Sequence, residues 1–353
     1  MVDYNTREKV IGKGLTFDDV LLVPGYSEIN SRREIAIDTQ LHPTLRLTVP
    51  VVSANMDTIT GEDMCRAMYK HGCLGLLHRF ASEAELIEIV EHLQAEGIVF
   101  GVSVGVNLDD EKLFNLYLSR EINIYCVDVA HAHHIKVRHR IRYIRNAKKD
   151  AVIIAGNVAT LDAAKFLADN GANVIKVGIG GGALCSTRVM TGCGVPQLTA
   201  IMNCAKVKQK YPDVKIIADG GIRYPGDITK ALAAGADAVM IGNMLAGTQQ
   251  TPGLIIKKGT LSKPLFFKRY RGSASMEVKA GSGRSPRFVE GVSIDVPYRG
   301  DVGVVIDEIV DGLKSGCSYV GAMNLNELRG KGMFIEVSSS GYIEGTPHGA
   351  SDY

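Results

Sequence analysis

Four glycines and one cysteine crowd the loop from Gly178 to Arg188, directly after the apolar stretch 173–177. Glycine lets a backbone take positive φ and come close to a ligand or ion. A cysteine fixed in such a loop, with a threonine two residues on, has the types for nucleophilic catalysis. Cys185 would attack as a thiolate and Thr187 would handle a proton. The loop alone fits a second reading equally well, a glycine-rich turn leading to a buried thiol, because free cysteines are among the most buried residues.

The company these residues keep favours the chemical reading. Asn55, Met56 and Asp57 follow one apolar stretch, and His78 and Arg79 follow the next. Asp128 and Asn157 end two more. Asp219 with Gly220 and Gly221 ends another, and Gly242 with Asn243 the last.

Only an architecture that gathers the ends of separate strands could bring these groups together. Eight apolar, β-branched stretches are expected as strands: 49–53, 73–78, 99–105, 123–128, 151–157, 173–178, 214–220 and 237–242. Near-continuous apolar runs are typical of parallel strands buried on both faces. Amphipathic helices are expected at 83–96, 110–120, 136–149, 161–170, 195–211 and 226–234, with Gly97, Gly171 and Gly235 as terminators. Eight alternating units predict a closed (β/α)8 TIM barrel, whose active site lies at the C-terminal ends of its strands. No G-x-G-x-x-G opens the first unit, which argues against a dinucleotide-binding doubly wound sheet.

Residues 244–300 break this rhythm, and 268–291 are expected to form a mobile lid inserted after the eighth strand. Lys268 and Arg269 read as a solvated charge pair. A helix is expected over 302–315, and the tail 338–353 is expected to be loosely ordered. The whole chain, 1–353, reads as one catalytic barrel.

Composition narrows the function classes. The chain has 353 residues, with 40 basic and 38 acidic side chains and a net charge of +2. Such a balance leaves no footprint for nucleic acid or an anionic membrane. A hydrophobic content of 46% supports a large core. No segment reads as a signal peptide or a spanning helix. The seven cysteines contain no C-x-x-C and read as reduced thiols of a cytoplasmic protein. Cys73, Cys126 and Cys193 are expected to be inert core thiols. His131, His133 and His134 lack the further ligands of a standard metal site.

With these motifs assembled, the chain resembles the IMP dehydrogenase/GMP reductase family from Leu15-Thr-Phe-Asp-Asp-Val-Leu-Leu-Val-Pro24 to about Val337. Six blocks carry the resemblance in the family's order: Met56-Asp-Thr58, Ala155-Gly-Asn-Val158, Lys176-Val-Gly-Ile-Gly180, the Cys185 loop, Ala218-Asp-Gly-Gly-Ile222 and Met240-Ile-Gly242. Only about twenty residues separate His78 from Val99, leaving no room for the regulatory CBS pair usual in dehydrogenases. Ala54-Asn-Met56, His78-Arg-Phe80, Ser103-Val-Gly-Val106 and Gly272-Ser-Ala-Ser275 resemble the reductase branch. Arg287 is followed by Phe288, where dehydrogenases place an Arg-Tyr pair that activates water. Leu15–Pro24 and Glu344-Gly-Thr-Pro-His348 resemble dehydrogenases instead.

The resemblance implies NADPH-dependent reduction of GMP to IMP and ammonia. It implies Cys185 as nucleophile, Thr187 as proton relay, and Glu290 as the lid carboxylate working with that threonine. Glu277 is the rival carboxylate. Phosphate would be held by Gly220, Gly221, Gly242 and Asn243, with Gly272 and Ser273 closing over them. Asp219 would bind the ribose, Met56 the purine face, and Arg287 to Gly291 would close over the base. Asp128 would meet the nicotinamide amide and Arg79 the extra phosphate of NADPH. Ser31, Arg32, Ser315 and Gly316 would reach in from a neighbouring subunit of a homotetramer. Carbonyls of Gly180, Gly182 and Cys185 would ring a monovalent cation such as K⁺. The serine that many relatives carry two residues before the cysteine is Ala183 here, which removes one hydroxyl contact.

Two other functions are weighed against these residues. An IMP dehydrogenase without a regulatory module would run the same thiol chemistry in the oxidative direction. A non-catalytic nucleotide sensor would have no use for Cys185, Thr187 and Glu290 together.

Overall fold

The computed structural model describes residues 9–107, 110–260, 263–272 and 291–345. Short antiparallel pieces precede the barrel: β1 (Val20–Leu22), then the hairpin β2 (Thr39–His42) and β3 (Leu45–Leu47). Alternation then begins, with β4 (Val51–Ser53), α1 (Glu62–Lys70), β5 (Leu74–Leu77), α2 (Glu83–Ala95) and β6 (Phe100–Val104). It continues through α3 (Glu111–Leu118), β7 (Ile124–Asp128), α4 (Ile135–Ala147), β8 (Val152–Val158), α5 (Leu161–Asp169) and β9 (Val174–Val177). After the Cys185 loop come α6 (Thr187–Thr191), α7 (Gln197–Ala205), β10 (Lys215–Asp219), α8 (Pro225–Ala233) and β11 (Ala238–Ile241).

Strands β4 to β11 close into one parallel barrel, with β11 pairing back onto β4. The fold is a (β/α)8 TIM barrel. Every residue of β4, β5, β6, β9 and β11 is buried, as continuous apolar strands covered on both faces require. The helices start where side chains can accept orphan N–H groups: Ser82 takes that of Glu85, and Thr160 that of Ala163. All eight expected strands are found. Helix α1 was not anticipated, although it buries Met64, Cys65 and Met68 against the sheet. The helix expected over 195–211 is shorter, giving way after Ala205 to a 3-10 turn, Lys206–Gln209.

Beyond β11 the chain builds an antiparallel three-stranded flap from β12 (Ile256–Thr260), β13 (Lys263–Arg271) and β14 (Ser293–Pro297). Of the expected lid 268–291, residues 268–272 complete β13 and its exit, and Gly291 bridges back to Cys185. Ser273, Glu277, Arg287 and Glu290 lie outside the described residues. Lys268 corrects the reading of a solvated charge pair. It is 3% exposed, on the strand face that packs onto the barrel, while Arg269 points outward to Asp295.

Helix α9 (Val302–Val320) runs five residues past its expected end and stops at Gly321. It is followed by α10 (Leu325–Lys331) and β15 (Phe334–Glu336), which pairs with β1. Of the tail expected to be loose, 338–353, the described part carries a short helix, α11 (Ser339–Glu344), capped by Ser338, and 346–353 lie outside the described residues. Among the described residues no helix is long and apolar enough to cross a membrane.

Candidate active site

A cavity of about 450 Å³ opens at the C-terminal mouth of the barrel. The strand ends deliver to it Asn55 and Met56 after β4, Arg79 after β5, Asp128 from β7, Asn157 from β8 and Lys176 from β9. The Cys185 loop and Asp219–Gly220 complete the ring, and Tyr270 and Gly272 reach it from the flap. Ten of the residues given a role from the sequence therefore line one cavity: Met56, Arg79, Asp128, Gly180, Gly182, Cys185, Thr187, Asp219, Gly220 and Gly272.

Cys185 is exposed, with Sγ 3.1 Å from Thr187 Oγ1. The buried thiols differ from it. Burial pushes Cys73 and Cys204 up to about 12 and Cys317 to about 11, and it drives Cys65 and Cys126 higher still. Such groups stay protonated and inert. Cys193 departs from its expected place in the core. It is exposed, just past the left-handed Gly192 that ends α6.

The Cys185 loop is tied down from three sides. Arg188 donates to the carbonyls of Ile179 and Val195. Cys185 N–H donates to Gly182 O at 3.0 Å, and Val292 N–H donates to Leu184 O. Gly220 adopts φ +96°, and its α-carbon passes so close to Gly181 and Gly182 that a Cβ would meet their backbone at 3.0–3.1 Å.

The floor of the cavity is a buried charge network. Lys176 Nζ lies 2.7 Å from Asp128 Oδ1 and 2.7 Å from Asp219 Oδ2, and it also donates to Asn157 Oδ1. Asn157 Nδ2 in turn donates to Asp219 Oδ2 at 2.9 Å and to Gly178 O at 2.7 Å. Burial alone would lower the Lys176 pKa, but Asp128 and Asp219 outweigh it and hold the ammonium well above its ordinary value. Burial would likewise raise Asp128, and Lys176 outweighs that, holding the carboxyl below the usual carboxylate range. Sequence reading assigned Lys176 no role. The available signal was a lone charge inside an otherwise apolar strand buried on both faces.

Arg79 pairs with Asp110 at 2.9 Å, and both side chains are nearly buried. It lies close enough to Asp128 to help lower that carboxyl. Arg79 and Asp128 thus share one end of the cavity. His78, before it, is buried. Burial and the nearby Arg271 depress its pKa to about 4. Its Nδ1 accepts the Phe80 N–H at 3.1 Å, as a neutral ring can.

Three further candidates, Gly242, Asn243 and Gly221, lie in the turns that follow the last two barrel strands. Gly242 lies under the flap, where a Cβ would stand 3.0 Å from Tyr270 Oη and 3.4 Å from Met56 Sδ. Asn243 is half-buried in the same turn, and Gly221 packs near Gln197 and Phe17. Ser31, Arg32, Ser315 and Gly316 do not line the cavity of their own chain. Ser31 caps the 3-10 turn Arg32–Glu34, which packs on α9, the helix carrying Ser315 and Gly316. Tyr270, buried and facing the cavity, was not anticipated.

The carbonyls of Gly180, Gly182 and Cys185 suit a monovalent cation in chemistry. Three oxygens leave such an ion short of a full shell, and Gly182 O already accepts one hydrogen bond.

An α/β barrel with an exposed cysteine beside a threonine at its C-terminal mouth defines a class of barrel enzymes. The profile of the IMP dehydrogenase / GMP reductase domain matches residues 14–348, and the chain belongs to that family of oxidoreductases. It is 35% identical to inosine-5'-monophosphate dehydrogenase of Cryptosporidium parvum, with 96% of each chain covered. It is 36% identical to GMP reductase of Shewanella halifaxensis, covering 92% of this chain and 94% of that one. Among solved structures, a GMP reductase variant from Trypanosoma brucei in complex with guanosine 5'-monophosphate superposes with a TM-score of 0.88 at 28% identity. That match covers 97% of this chain and 99% of the other.

Proposed function

We propose that this chain is an NADPH-dependent GMP reductase, converting GMP to IMP and ammonia in nucleotide salvage. The observation that carries the reading is the exposed Cys185 Sγ 3.1 Å from Thr187 Oγ1, on a wall shared with Asp219 and Asp128. The GMP bound to the Trypanosoma relative supports a purine nucleotide as the substrate class.

In the first step the Cys185 thiolate attacks C2 of the purine, forming a C–S bond as the C2–N bond breaks. One proton, relayed through Thr187 from Glu290, lets the amino group leave as ammonia. NADPH supplies a hydride to the same carbon. The C–S bond then breaks, and Cys185 is restored as a thiolate alongside IMP and NADP⁺. Asp219 holds the ribose hydroxyls, and Met56 packs on the base. Gly220, Gly221, Gly242 and Asn243 offer backbone N–H groups to the phosphate. Tyr270 stands over the Gly242 turn and Gly272 reaches the cavity beside Leu184, and Ser273, Arg287 and Gly291 would close on the nucleotide. Asp128 meets the nicotinamide amide, held as a carboxylate by Lys176.

Arg79 is reassigned in this reading. A residue beside Asp128 sits at the nicotinamide end, and the extra phosphate of NADPH lies at the other end of the dinucleotide. Ser31, Arg32, Ser315 and Gly316 remain as contacts from a neighbouring copy in a cytoplasmic homotetramer. The carbonyls of Gly180, Gly182 and Cys185 would hold K⁺, which would stiffen the loop that carries the thiol. Faster turnover in potassium than in sodium salts tests that point.

The dehydrogenase relatives favour a second reading, oxidation of IMP to XMP with NAD⁺ and water. Arg287 followed by Phe288, instead of an Arg-Tyr pair, weighs against it. The purified protein is to be assayed with GMP plus NADPH, and separately with IMP plus NAD⁺, by absorbance of the reduced cofactor. Consumption of NADPH with release of ammonia supports the reductase. NADH formation from IMP alone replaces it with the dehydrogenase.

A further inference from the structure

The barrel mouth is not the only place where a buried lysine organises the protein. In the root of the flap, Lys268 on β13 is 3% exposed. Among the described residues its ammonium makes no ion pair. It donates instead to the carbonyls of Gln249 at 3.0 Å, Thr248 at 3.2 Å and Thr251. An ammonium has three N–H donors and no acceptor, so three carbonyls satisfy it fully. Burying a charge is costly unless its hydrogen bonds are met, and here they are met entirely by backbone. Burial pulls the Lys268 pKa down, with Asp63 opposing.

The cage is held independently of the lysine. Gln249 N–H donates to Gly300 O at 2.7 Å, and Arg299 N–H to Gly247 O at 2.8 Å. Thr251 Oγ1 donates to Thr248 O at 2.8 Å and Thr248 Oγ1 to Leu245 O at 2.8 Å. This segment continues the turn that starts at Gly242, whose carbonyl accepts from Leu245 and Ala246. The loop is therefore shaped by its own hydrogen bonds and by its ties to 299–300, and the lysine enters a cage that other bonds already hold.

What the grip fixes follows from strand geometry. Side chains two apart share a face, so Lys268 and Tyr270 point the same way, and both are buried. Tyr270 Oη stands over Gly242, and Gly272 two residues further reaches the cavity. Thus one strand carries the caged ammonium, the tyrosine hydroxyl over the Gly242 turn, and Gly272 at the cavity beside Leu184.

We propose that Lys268 is a positioning residue, its ammonium locked in a carbonyl cage so that Tyr270 and Gly272 stand in register with the Gly242–Asn243 turn where the nucleotide phosphate binds. The cage is shaped for a cation. In Lys268→Ala it accepts a small alkylammonium ion in place of the side chain. The inference rests on the reading of that turn as the phosphate site, and it holds for GMP or IMP alike.

The test compares wild type, Lys268→Met and Lys268→Ala by titration calorimetry with GMP and with IMP, and by steady-state kinetics. Nucleotide affinity and nucleotide KM should weaken at least tenfold in both variants, with the cofactor KM within twofold of wild type. Adding n-propylammonium chloride, which replaces the atoms deleted in Lys268→Ala, should recover most of that loss. Sodium chloride or tetramethylammonium chloride at equal ionic strength should not, and Lys268→Met, whose side chain fills the space, should not respond. A folded Lys268→Met with nucleotide affinity within twofold of wild type overturns the proposal, as does an equal loss for nucleotide and cofactor. If Lys268→Ala is insoluble, the Met variant decides. If wild type binds neither nucleotide, the nucleotide reading fails by itself. The cage then stands or falls on whether n-propylammonium raises the melting temperature of Lys268→Ala selectively.

Discussion

Lys176 Nζ stands 2.7 Å from Asp219 Oδ2 and the same distance from Asp128 Oδ1, so one buried ammonium joins the two carboxylates of the cavity floor. Removing it leaves two half-buried carboxylates facing each other without their shared cation. Breaking a buried pair from one side typically costs about 3–5 kcal/mol. Lys176→Met is therefore expected to lower the melting temperature sharply and to abolish turnover. A variant that melts and turns over like wild type contradicts the network. The acid limb follows from Asp128. Its folded pKa lies below the unfolded value of about 3.9, so its stabilisation is complete above that range and is lost as pH falls below it. Asp128→Asn should flatten the acid limb.

His78 titrates in a different window. Its folded pKa is depressed to about 4 by burial and Arg271, against about 6.5 unfolded. As pH falls from 6.5 toward 4 the unfolded chain takes up a proton that the folded protein refuses. Stability declines across that window, by at most about 1.4 kcal/mol per pH unit, and is unaffected above it. His78→Gln keeps an acceptor for the Phe80 N–H and removes the titration. Chemical denaturation at stepped pH should show a shallower slope between pH 6.5 and 4 for the variant. An unchanged slope assigns the dependence to other groups.

The barrel was legible because strands buried on both faces read as unbroken apolar runs, each closed by the polar residue it presents. The flap strands were not. Ile256-Lys-Lys-Gly-Thr260 and Lys263–Arg271 interleave lysines with apolar residues and lack the burial that marks a barrel strand. Lys268 was misread for the same reason. A lysine next to an arginine in a polar stretch looks solvated, and only the tertiary placement of the 248–251 carbonyls makes burial affordable. Tyr270 was hidden because its contact with Gly242 joins segments that share no local pattern. Lys176 could have been found, since a charge inside an apolar barrel strand needs a partner, and the neighbouring strand β10 ends at Asp219.

Arg79 discriminates between the two ends of the cofactor. Beside Asp128 and paired with Asp110, it should matter equally to any nicotinamide dinucleotide. Arg79→Glu places a carboxylate against Asp110 and should reduce kcat/KM with NADPH and with NADH by similar factors, roughly 100-fold or more. A loss confined to NADPH would instead make Arg79 the reader of the extra phosphate.

The central claim is that the Cys185 thiol attacks the nucleotide, and Cys185→Ala tests it most directly. GMP-dependent NADPH oxidation and GMP binding are to be measured side by side in wild type and variant. Phosphate and ribose contacts come from other loops, so binding is separable from nucleophilic attack. The account predicts no detectable turnover in the variant, with GMP affinity within about tenfold of wild type. Turnover that persists without the thiol contradicts it.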